Sequence, residues 1–397
     1  MSLISEKMKP LVENNSAIRT MFEEGKRLKS MYGEDKVYDF SLGNPSVSPP
    51  KEVEKAMYDI LKEEDCMQLH GYMNNAGYEE VRQAIAQSLN ERFKTEFTFE
   101  NIIMTVGAAS GLNIVLKTIL NPKDQVITFA PYFLEYENYV NNYHGILVTI
   151  PPNPPSFLPN IEELEKAINE RTKAVIINTP NNPTGVVYSE DIIKQLCNVL
   201  EKKQMEYGHT IVLISDEPYR ELVYEDAVVP FVTNYYNNAI VVYSYSKSLS
   251  LPGERIGYVV VPNELEEAKQ LYLAMTIANR VIGCVNAPSF IQKVIGRCVN
   301  AKVDIQSYKR NRDVLYNHLI ACGFECIKPQ GAFYLFVKSP LEDEKEFCNL
   351  AKEEHILMVP GSSFACKGYV RIAYCVPYET IIGSLEAFTR LAKKCKK

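Results

Sequence analysis

A chain of 397 residues is long enough for two or three domains, and its 46% hydrophobic content suffices for a large core. The formal net charge of −6 argues against the basic face of a nucleic-acid-binding protein, and no apolar run approaches the ~18 residues of a membrane span. The N-terminus has no apolar signal-peptide core, and the ten cysteines show no zinc-type spacing. We therefore expect a cytoplasmic protein with free thiols, no metal site, and neither nucleic acid nor membrane as a partner.

The first hundred residues predict helices around one short strand. Residues 16–32 have apolar positions at helical spacing (Ile18, Met21, Phe22 and Leu28) behind Ser16, a candidate N-cap. Residues 37–46 indicate a short strand that stops at Gly43-Asn44-Pro45. Residues 51–63 and 77–93 have the patterns of helices.

From about residue 100, short runs that are apolar on both faces alternate with helical patterns. This alternation predicts an α/β fold with a mostly parallel sheet covered by helices on both sides. The proline-rich residues 151–159 are too short for a domain linker and indicate a surface loop. The seven apolar runs are 101–106, 125–130, 145–150, 173–179, 210–216, 239–245 and 256–261.

The pattern changes after about residue 285. A long helix is predicted over roughly 286–321 and a final helix over 379–394. Between them, the apolar segments 331–338, 356–364 and 369–374 indicate strands. This part of the chain predicts a smaller α+β domain.

Candidate functional residues follow the strands, because open α/β sheets bind ligands at the carboxyl ends of their strands. The segment GAASG at 107–111 leads into a helix whose free N–H groups suit a phosphate, although a simple tight turn is the alternative. The segment TPNNPTG at 179–185 has the composition of an ordinary turn but also supplies amide donors. Asp216 ends the next run, where a helix N-cap is the alternative role.

Two cations complete this set of candidates. Lys247 follows a predicted strand among serine hydroxyls, a setting in which a lysine amine can have a lowered pKa and react with carbonyls. Arg371 lies in the middle of the apolar run YVRIAY and needs an anion, which is either a buried carboxylate of the chain or the carboxylate of a substrate.

In this order and spacing, the segments resemble the class I/II aminotransferases, which are fold-type-I pyridoxal-phosphate enzymes. The most specific stretches are NNPTG at 181–185, SDEPY at 215–219 and SYSKSLSLPGERIGY at 244–258. SLGNP, YMNNAGYEEVRQAIA, PQGAFYLF and VPGSSF followed by GYVRIA add to a resemblance that covers nearly the whole chain.

The resemblance implies the fold and the domains. It implies a seven-stranded, mostly parallel sheet flanked by helices, and a smaller α+β domain built from both termini. We place an N-terminal arm and part of the small domain at 1–48, the large cofactor-binding domain at 49–285 and the small C-terminal domain at 286–397. It also implies a homodimer with shared active sites.

The resemblance also implies roles around the cofactor ring. Lys247 would form the Schiff base with the cofactor aldehyde, and Asp216 would keep the pyridine nitrogen protonated. Asn182 and Tyr219 would hydrogen-bond the phenolic oxygen of the ring. Phe133 would stack on the ring, where many relatives carry Tyr or Trp.

The cofactor phosphate would be held by a separate set of residues. By the same resemblance, the backbone N–H groups of Gly107, Ala108 and Ala109 would cradle it. Ser244 and Arg255 would complete this cradle, which accounts for the hydroxyls and the arginine around the lysine segment.

The remaining roles concern the substrate and the partner subunit. Arg371, with the backbone at Gly43 and Asn182, would bind the α-carboxylate. Tyr72 would reach the phosphate from the partner. Arg280, thirty-three residues after the lysine, is a candidate for the distal carboxylate of aspartate or glutamate, although snorkelling to solvent is the alternative.

The expected reaction is amino-group transfer between an amino acid, with aspartate and glutamate as candidates, and a 2-oxo acid. A pyridoxal-phosphate-dependent C–S β-lyase is the first alternative, because the same lysine and cofactor can eliminate a β-substituent. A non-catalytic, cofactor-sensing regulatory module is the second alternative. Such modules usually carry a DNA-binding domain, for which residues 1–36 are too short and not basic enough.

Overall fold

The computed structural model describes residues 3–13 and 17–396. The strands are β1 (Tyr38–Asp39), β2 (Ile102–Thr105), β3 (Gln125–Phe129), β4 (Ile146–Ile150), β5 (Thr172–Asn178), β6 (Val212–Asp216), β7 (Ala239–Ser244), β8 (Gly257–Val260), β9 (Tyr334–Lys338), β10 (Ile356–Leu357), β11 (Val359–Pro360) and β12 (Tyr369–Ala373). The helices are α1 (Lys9–Glu13), α2 (Ala17–Tyr32), α3 (Lys51–Glu63), α4 (Cys66–Leu69), α5 (Glu79–Phe93), α6 (Gly107–Ile119), α7 (Glu135–Asn142), α8 (Ile161–Ala167), α9 (Glu190–Tyr207), α10 (Tyr245–Ser248), α11 (Ala268–Val281), α12 (Ser289–Cys298), α13 (Ile305–Cys322), α14 (Glu344–Glu353) and α15 (Tyr378–Lys394).

The seven apolar runs form one seven-stranded sheet in the order β2-β8-β7-β6-β5-β3-β4. Strand β8 is antiparallel to both of its neighbours, and the other pairs are parallel. The predicted α/β class and the mostly parallel sheet are confirmed.

Both faces of the sheet are buried, which explains why its strands are apolar without alternation. Val175 and Leu213 face the core that contains α3, α5 and α12. Their chain neighbours Ile176 and Ile214 face the opposite core, on the side of α6 and α11. Each strand therefore contributes alternate side chains to two separate hydrophobic cores.

A smaller α+β region contains the rest of the chain. Strands β9, β12 and β11 form an antiparallel sheet, and α13 packs against α15. The N-terminal segment joins this region, because β1 pairs in parallel with β10 and Phe40 lies in the same core. The domain boundaries after residues 48 and 285 stay predictions. Helix α12, which follows the second boundary, packs against α3 and α5 of the predicted large domain.

Several predicted elements are shorter than expected. The long helix over 286–321 is wrong: α12 and α13 are separate, and the Asp304 carboxylate caps α13 by accepting from the N–H groups of Gln306 and Ser307. The segment 356–364 contains two dipeptide strands and a 3-10 turn, and the strand predicted within 37–46 is only two residues long. Ser16 lies outside the described residues.

Two general features bear on the predicted environment. No helix in the described part of the chain is long and apolar enough to cross a membrane. All ten cysteines are free thiols.

Candidate active site

A cavity of about 310 Å³ opens where three neighbouring parallel strands end. The last residues of β5, β6 and β7, which are Asn178, Asp216 and Ser244, all line it. This is the carboxyl edge at which open α/β sheets bind ligands. The predicted site residues on its wall are Gly43, Ala108, Ala109, Phe133, Asn182, Asp216, Tyr219, Ser244, Lys247, Arg255 and Arg371.

One corner of the cavity is suited to a phosphate. Helix α6 begins at Gly107, so the segment 107–111, for which a tight turn is the alternative prediction, forms the first turn of the helix, whose N–H groups lack partners within the helix. Gly107 has φ +74°, and a Cβ there would lie 2.8 Å from a guanidinium nitrogen of Arg255. The Ser244 hydroxyl lies 2.8 Å from that of Ser246. Because Gly107 has no side chain, the Arg255 guanidinium can approach the N-terminus of α6, which carries a partial positive charge. An anion such as a phosphate would stabilise these two positive groups.

Lys247 enters the cavity from α10, the short helix that directly follows β7. Its Nζ donates a hydrogen bond to the Gly43 carbonyl oxygen at 2.7 Å. Burial lowers the pKa of Lys247 to about 8, and the positive charges of Arg371 and Arg255 act in the same direction. At this pKa about a tenth of the amine is neutral at pH 7, far more than for an exposed lysine with a pKa of about 10.4, and the neutral amine is the nucleophile.

Asp216 provides a buried carboxylate on the same wall. The Tyr136 hydroxyl donates to its Oδ2 at 2.6 Å, whereas Oδ1 is buried and has no partner among the described residues. Burial raises the pKa of Asp216 to about 7. A cationic N–H placed against Oδ1 would satisfy this oxygen and favour the ionised carboxylate.

Arg371 lies in β12, lines the cavity and is 2% exposed. Its Nη1 donates to Asn182 Oδ1 at 3.0 Å and its Nη2 to the Ser41 carbonyl oxygen at 2.7 Å, whereas its Nε has no hydrogen-bond partner among the described residues. Among the described residues, no carboxylate forms an ion pair with it. A buried guanidinium without a counter-ion is suited to the carboxylate of a ligand.

Aromatic side chains complete the wall. The Tyr219 hydroxyl lies 2.9 Å from the Tyr334 hydroxyl, and the Tyr334 ring lies 4.5 Å from the Arg371 guanidinium. Phe133 lines the same cavity and packs edge-on against Tyr136 at 5.9 Å. A planar ring in the cavity would contact these apolar faces.

Two predicted residues lie away from the cavity of their own chain. Tyr72 is 98% exposed, shortly after α4. Arg280 is exposed near the end of α11 and has no ion-pair partner among the described residues. Their predicted contacts need a second subunit and stay predictions.

Sequence reasoning missed three residues of this site. Tyr136 holds Asp216, Asn178 donates from its side-chain amide to the Asp216 carbonyl oxygen at 2.8 Å, and Tyr334 pairs with Tyr219. Asn178 could have been found as the last residue of its strand. The pairing of Tyr136 with Asp216 had no local signal, since 80 residues separate the two.

These features fit pyridoxal phosphate. The unpartnered Asp216 oxygen suits a pyridinium N–H, the first turn of α6 and Arg255 suit a phosphate, and Lys247 suits an aldehyde. The fold and the site therefore define a fold-type-I pyridoxal-phosphate enzyme.

The model of the family "Aminotransferase class I and II" matches residues 35–387, so the chain belongs to this family. A crystal structure of an amino transferase from Eubacterium rectale is 47% identical to it, with a TM-score of 0.97 over 100% of both chains. The aspartate aminotransferase of Thermus thermophilus with maleate is 26% identical, with a TM-score of 0.87 over 98% of this chain and 100% of that one. A probable aspartate/prephenate aminotransferase from Thermus aquaticus is 31% identical over 88% of this chain and 90% of its own length. The chain is thus a pyridoxal-phosphate-dependent transaminase acting on an amino acid and a 2-oxo acid.

Proposed function

We propose that aspartate or glutamate is the preferred amino donor and that the corresponding 2-oxo acids are the acceptors. The buried Arg371 supports an α-amino acid as the substrate, because its guanidinium forms no ion pair among the described residues and is suited to the α-carboxylate that all amino acids share. The observation that carries the preference for aspartate or glutamate is the similarity to relatives named for aspartate. The roles assigned below to single residues belong to the same proposal.

When it is bound, the cofactor supplies an electron sink for the substrate Cα. The Asp216 Oδ1 atom would accept a hydrogen bond from a protonated pyridine nitrogen. The Lys247 amine would take the proton from the substrate Cα and give it back later in the transfer. Its lowered pKa suits both halves of this transfer near neutral pH. Arg371 and Asn182 fix the α-carboxylate, and thereby the direction of the Cα–H bond.

A substrate panel tests the donor. The holoenzyme is incubated with single amino acids and a panel of 2-oxo acids, and kcat/KM is measured for each pair. The proposal requires aspartate or glutamate to rank first. If another amino acid is the preferred donor, the proposed identity of the donor is wrong but the transaminase activity is not. Release of pyruvate and ammonia from a cysteine conjugate without transamination would indicate the β-lyase. The absence of any turnover would indicate the regulatory module.

We also infer that the enzyme is a homodimer in the cytoplasm. The ten free thiols suit a reducing compartment. The exposed Tyr72 suits a residue that completes a site in a second subunit, because a side chain that is almost fully exposed in its own chain is available for a partner.

Mixed dimers test the shared site. Tyr72→Ala and Lys247→Ala proteins, each of low activity alone, are mixed and allowed to exchange subunits. A heterodimer would contain one intact site, made of Lys247 from one chain and Tyr72 from the other. In a fully exchanged equal mixture about a quarter of all sites are then intact, since half of the dimers are mixed. Turnover should recover to about that level, and no recovery after verified exchange would contradict the shared site.

Arg280→Ala tests the contact with the distal carboxylate. If Arg280 reaches the partner's site, kcat/KM for aspartate should fall by the equivalent of ~2–5 kcal/mol, whereas kcat/KM for alanine should stay nearly constant. Arg171→Ala is the matched control, because Arg171 is exposed at the opposite end of β5. An equal effect on both substrates, or none, shows that Arg280 does not determine specificity.

A further inference from the structure

A second cavity of about 380 Å³ lies beside the segment that carries Lys247. It is bounded by the end of α5, by residues 243–249 and by the turn between α12 and α13. Its volume falls within the range of small-molecule sites. Neither the cofactor nor the substrate positions described above use it.

The two cavities share a wall. Ser244, Ser246 and Lys247 line the active-site cavity, whereas their chain neighbours Tyr245 and Ser248 line the second one. Successive side chains of a single segment therefore face different cavities. A molecule in the second cavity would therefore contact Tyr245 and Ser248, which lie before and after Lys247 in the chain.

The wall of the second cavity carries hydroxyl groups that can serve a polar ligand. Tyr243 and Tyr245 lie with their rings edge-to-face at 5.2 Å. The Ser248 hydroxyl is buried and lies near the Tyr243 hydroxyl, but no hydrogen bond of good geometry satisfies it among the described residues. Because buried polar groups normally have well-formed hydrogen bonds, a polar ligand in the cavity would give this hydroxyl a better partner.

The charges around the cavity are balanced in sign. Arg92 and Glu221 form an ion pair at 2.6 Å, which neutralises both groups. Glu91 and Lys302 also line the cavity, and each is exposed with no ion-pair partner among the described residues. One free carboxylate and one free ammonium on a single cavity complement a ligand that itself carries one charge of each sign.

We propose that this second cavity binds a free α-amino acid. Lys302 would meet its carboxylate, Glu91 its ammonium group, and the tyrosine rings its side chain. The Ser248 hydroxyl would hydrogen-bond the ligand and transmit its presence to the neighbouring Lys247. The proposal does not depend on which amino acid is the donor, because the site lies outside the active-site cavity.

The test uses N,N-dimethylglycine, a zwitterion whose tertiary amine cannot condense with an aldehyde. It is titrated calorimetrically into borohydride-reduced holoenzyme, in which the cofactor permanently occupies the active site. The Lys302→Glu and Glu91→Lys variants reverse the two unpaired charges. Lys367→Glu is the matched control, because Lys367 is an exposed lysine outside this cavity and forms no ion pair with any described residue.

We expect one binding event that both charge reversals weaken at least tenfold and that Lys367→Glu leaves unchanged. In the unreduced holoenzyme, saturation of this event should also shift the pH at which the cofactor's visible absorption changes, and the shift should vanish in Lys302→Glu. Binding that is equal in the wild type and both reversal variants, or no binding at all, overturns the proposal.

Discussion

Replacing Lys247 with alanine should abolish covalent attachment of the cofactor and reduce kcat by about 10⁴-fold, since we propose that this one residue is both the nucleophile and the proton carrier. The variant should still bind the cofactor, because the first turn of α6 and Arg255 are unchanged. Borohydride reduction followed by mass measurement of the intact chain distinguishes attached from dissociable cofactor.

Lys367→Ala is the control for this experiment. Lys367 is an exposed lysine with no ion-pair partner among the described residues, so its loss should leave attachment and turnover unchanged. A Lys247→Ala chain that still gained the cofactor's mass after reduction would show that another amine is the nucleophile. Loss of all cofactor binding would instead show that the phosphate corner alone does not hold the group.

Asp216→Asn should lower kcat by about 10²- to 10³-fold, the usual effect of removing one preorganised electrostatic partner. The amide keeps the size of the carboxyl group but cannot neutralise a pyridinium. The absorption spectrum of the bound cofactor should also lose its sensitivity to Asp216 ionisation. An Asp216→Asn enzyme with the kcat of the wild type would contradict the predicted contact with the ring nitrogen.

The same variant makes a separate prediction for the cofactor-free protein. Burial raises the pKa of Asp216 from its ordinary value near 4 to about 7, so the folded state holds a proton that the unfolded state releases. The free energy of unfolding should therefore fall as the pH rises from about 4 to about 7, by up to roughly 4 kcal/mol. Asparagine has no titratable carboxyl group, so the free energy of unfolding of Asp216→Asn should not fall in this way. Relative to the wild type, the variant should therefore gain stability as the pH rises over the same range. Urea unfolding of both proteins at pH 5 and pH 8 measures the difference, and an equal difference at the two pH values would contradict it.

The sheet was predictable because its strands are short apolar runs with no competing periodicity. The groups at the strand ends were predictable for the same reason, since Asp216 ends one such run and Lys247 lies two residues after another. The motif order then added Asn182 and Tyr219, which line the same cavity.

Other features depend on contacts that no local pattern records. The predicted long helix is divided because Asp304 caps α13. The sequence hides this N-cap, because apolar residues at helical spacing occur both before and after Asp304. The Tyr136–Asp216 hydrogen bond and the second cavity join segments far apart in the chain. The positions of Tyr72 and Arg280 relative to a site depend on a second subunit, which one chain's pattern does not contain.

The hydrogen bonds around β1 have a consequence for the order of assembly. Ser41 accepts from Arg371 across 330 residues of chain, and Gly43 accepts from Lys247 across 204. Closing such long loops costs chain entropy before any contact forms, and contacts of this separation slow folding. During synthesis, the first turn of α6 and Lys247 emerge well before Arg371. A nascent chain therefore contains the groups that we propose to hold the cofactor before it contains the one that we propose to bind the substrate carboxylate.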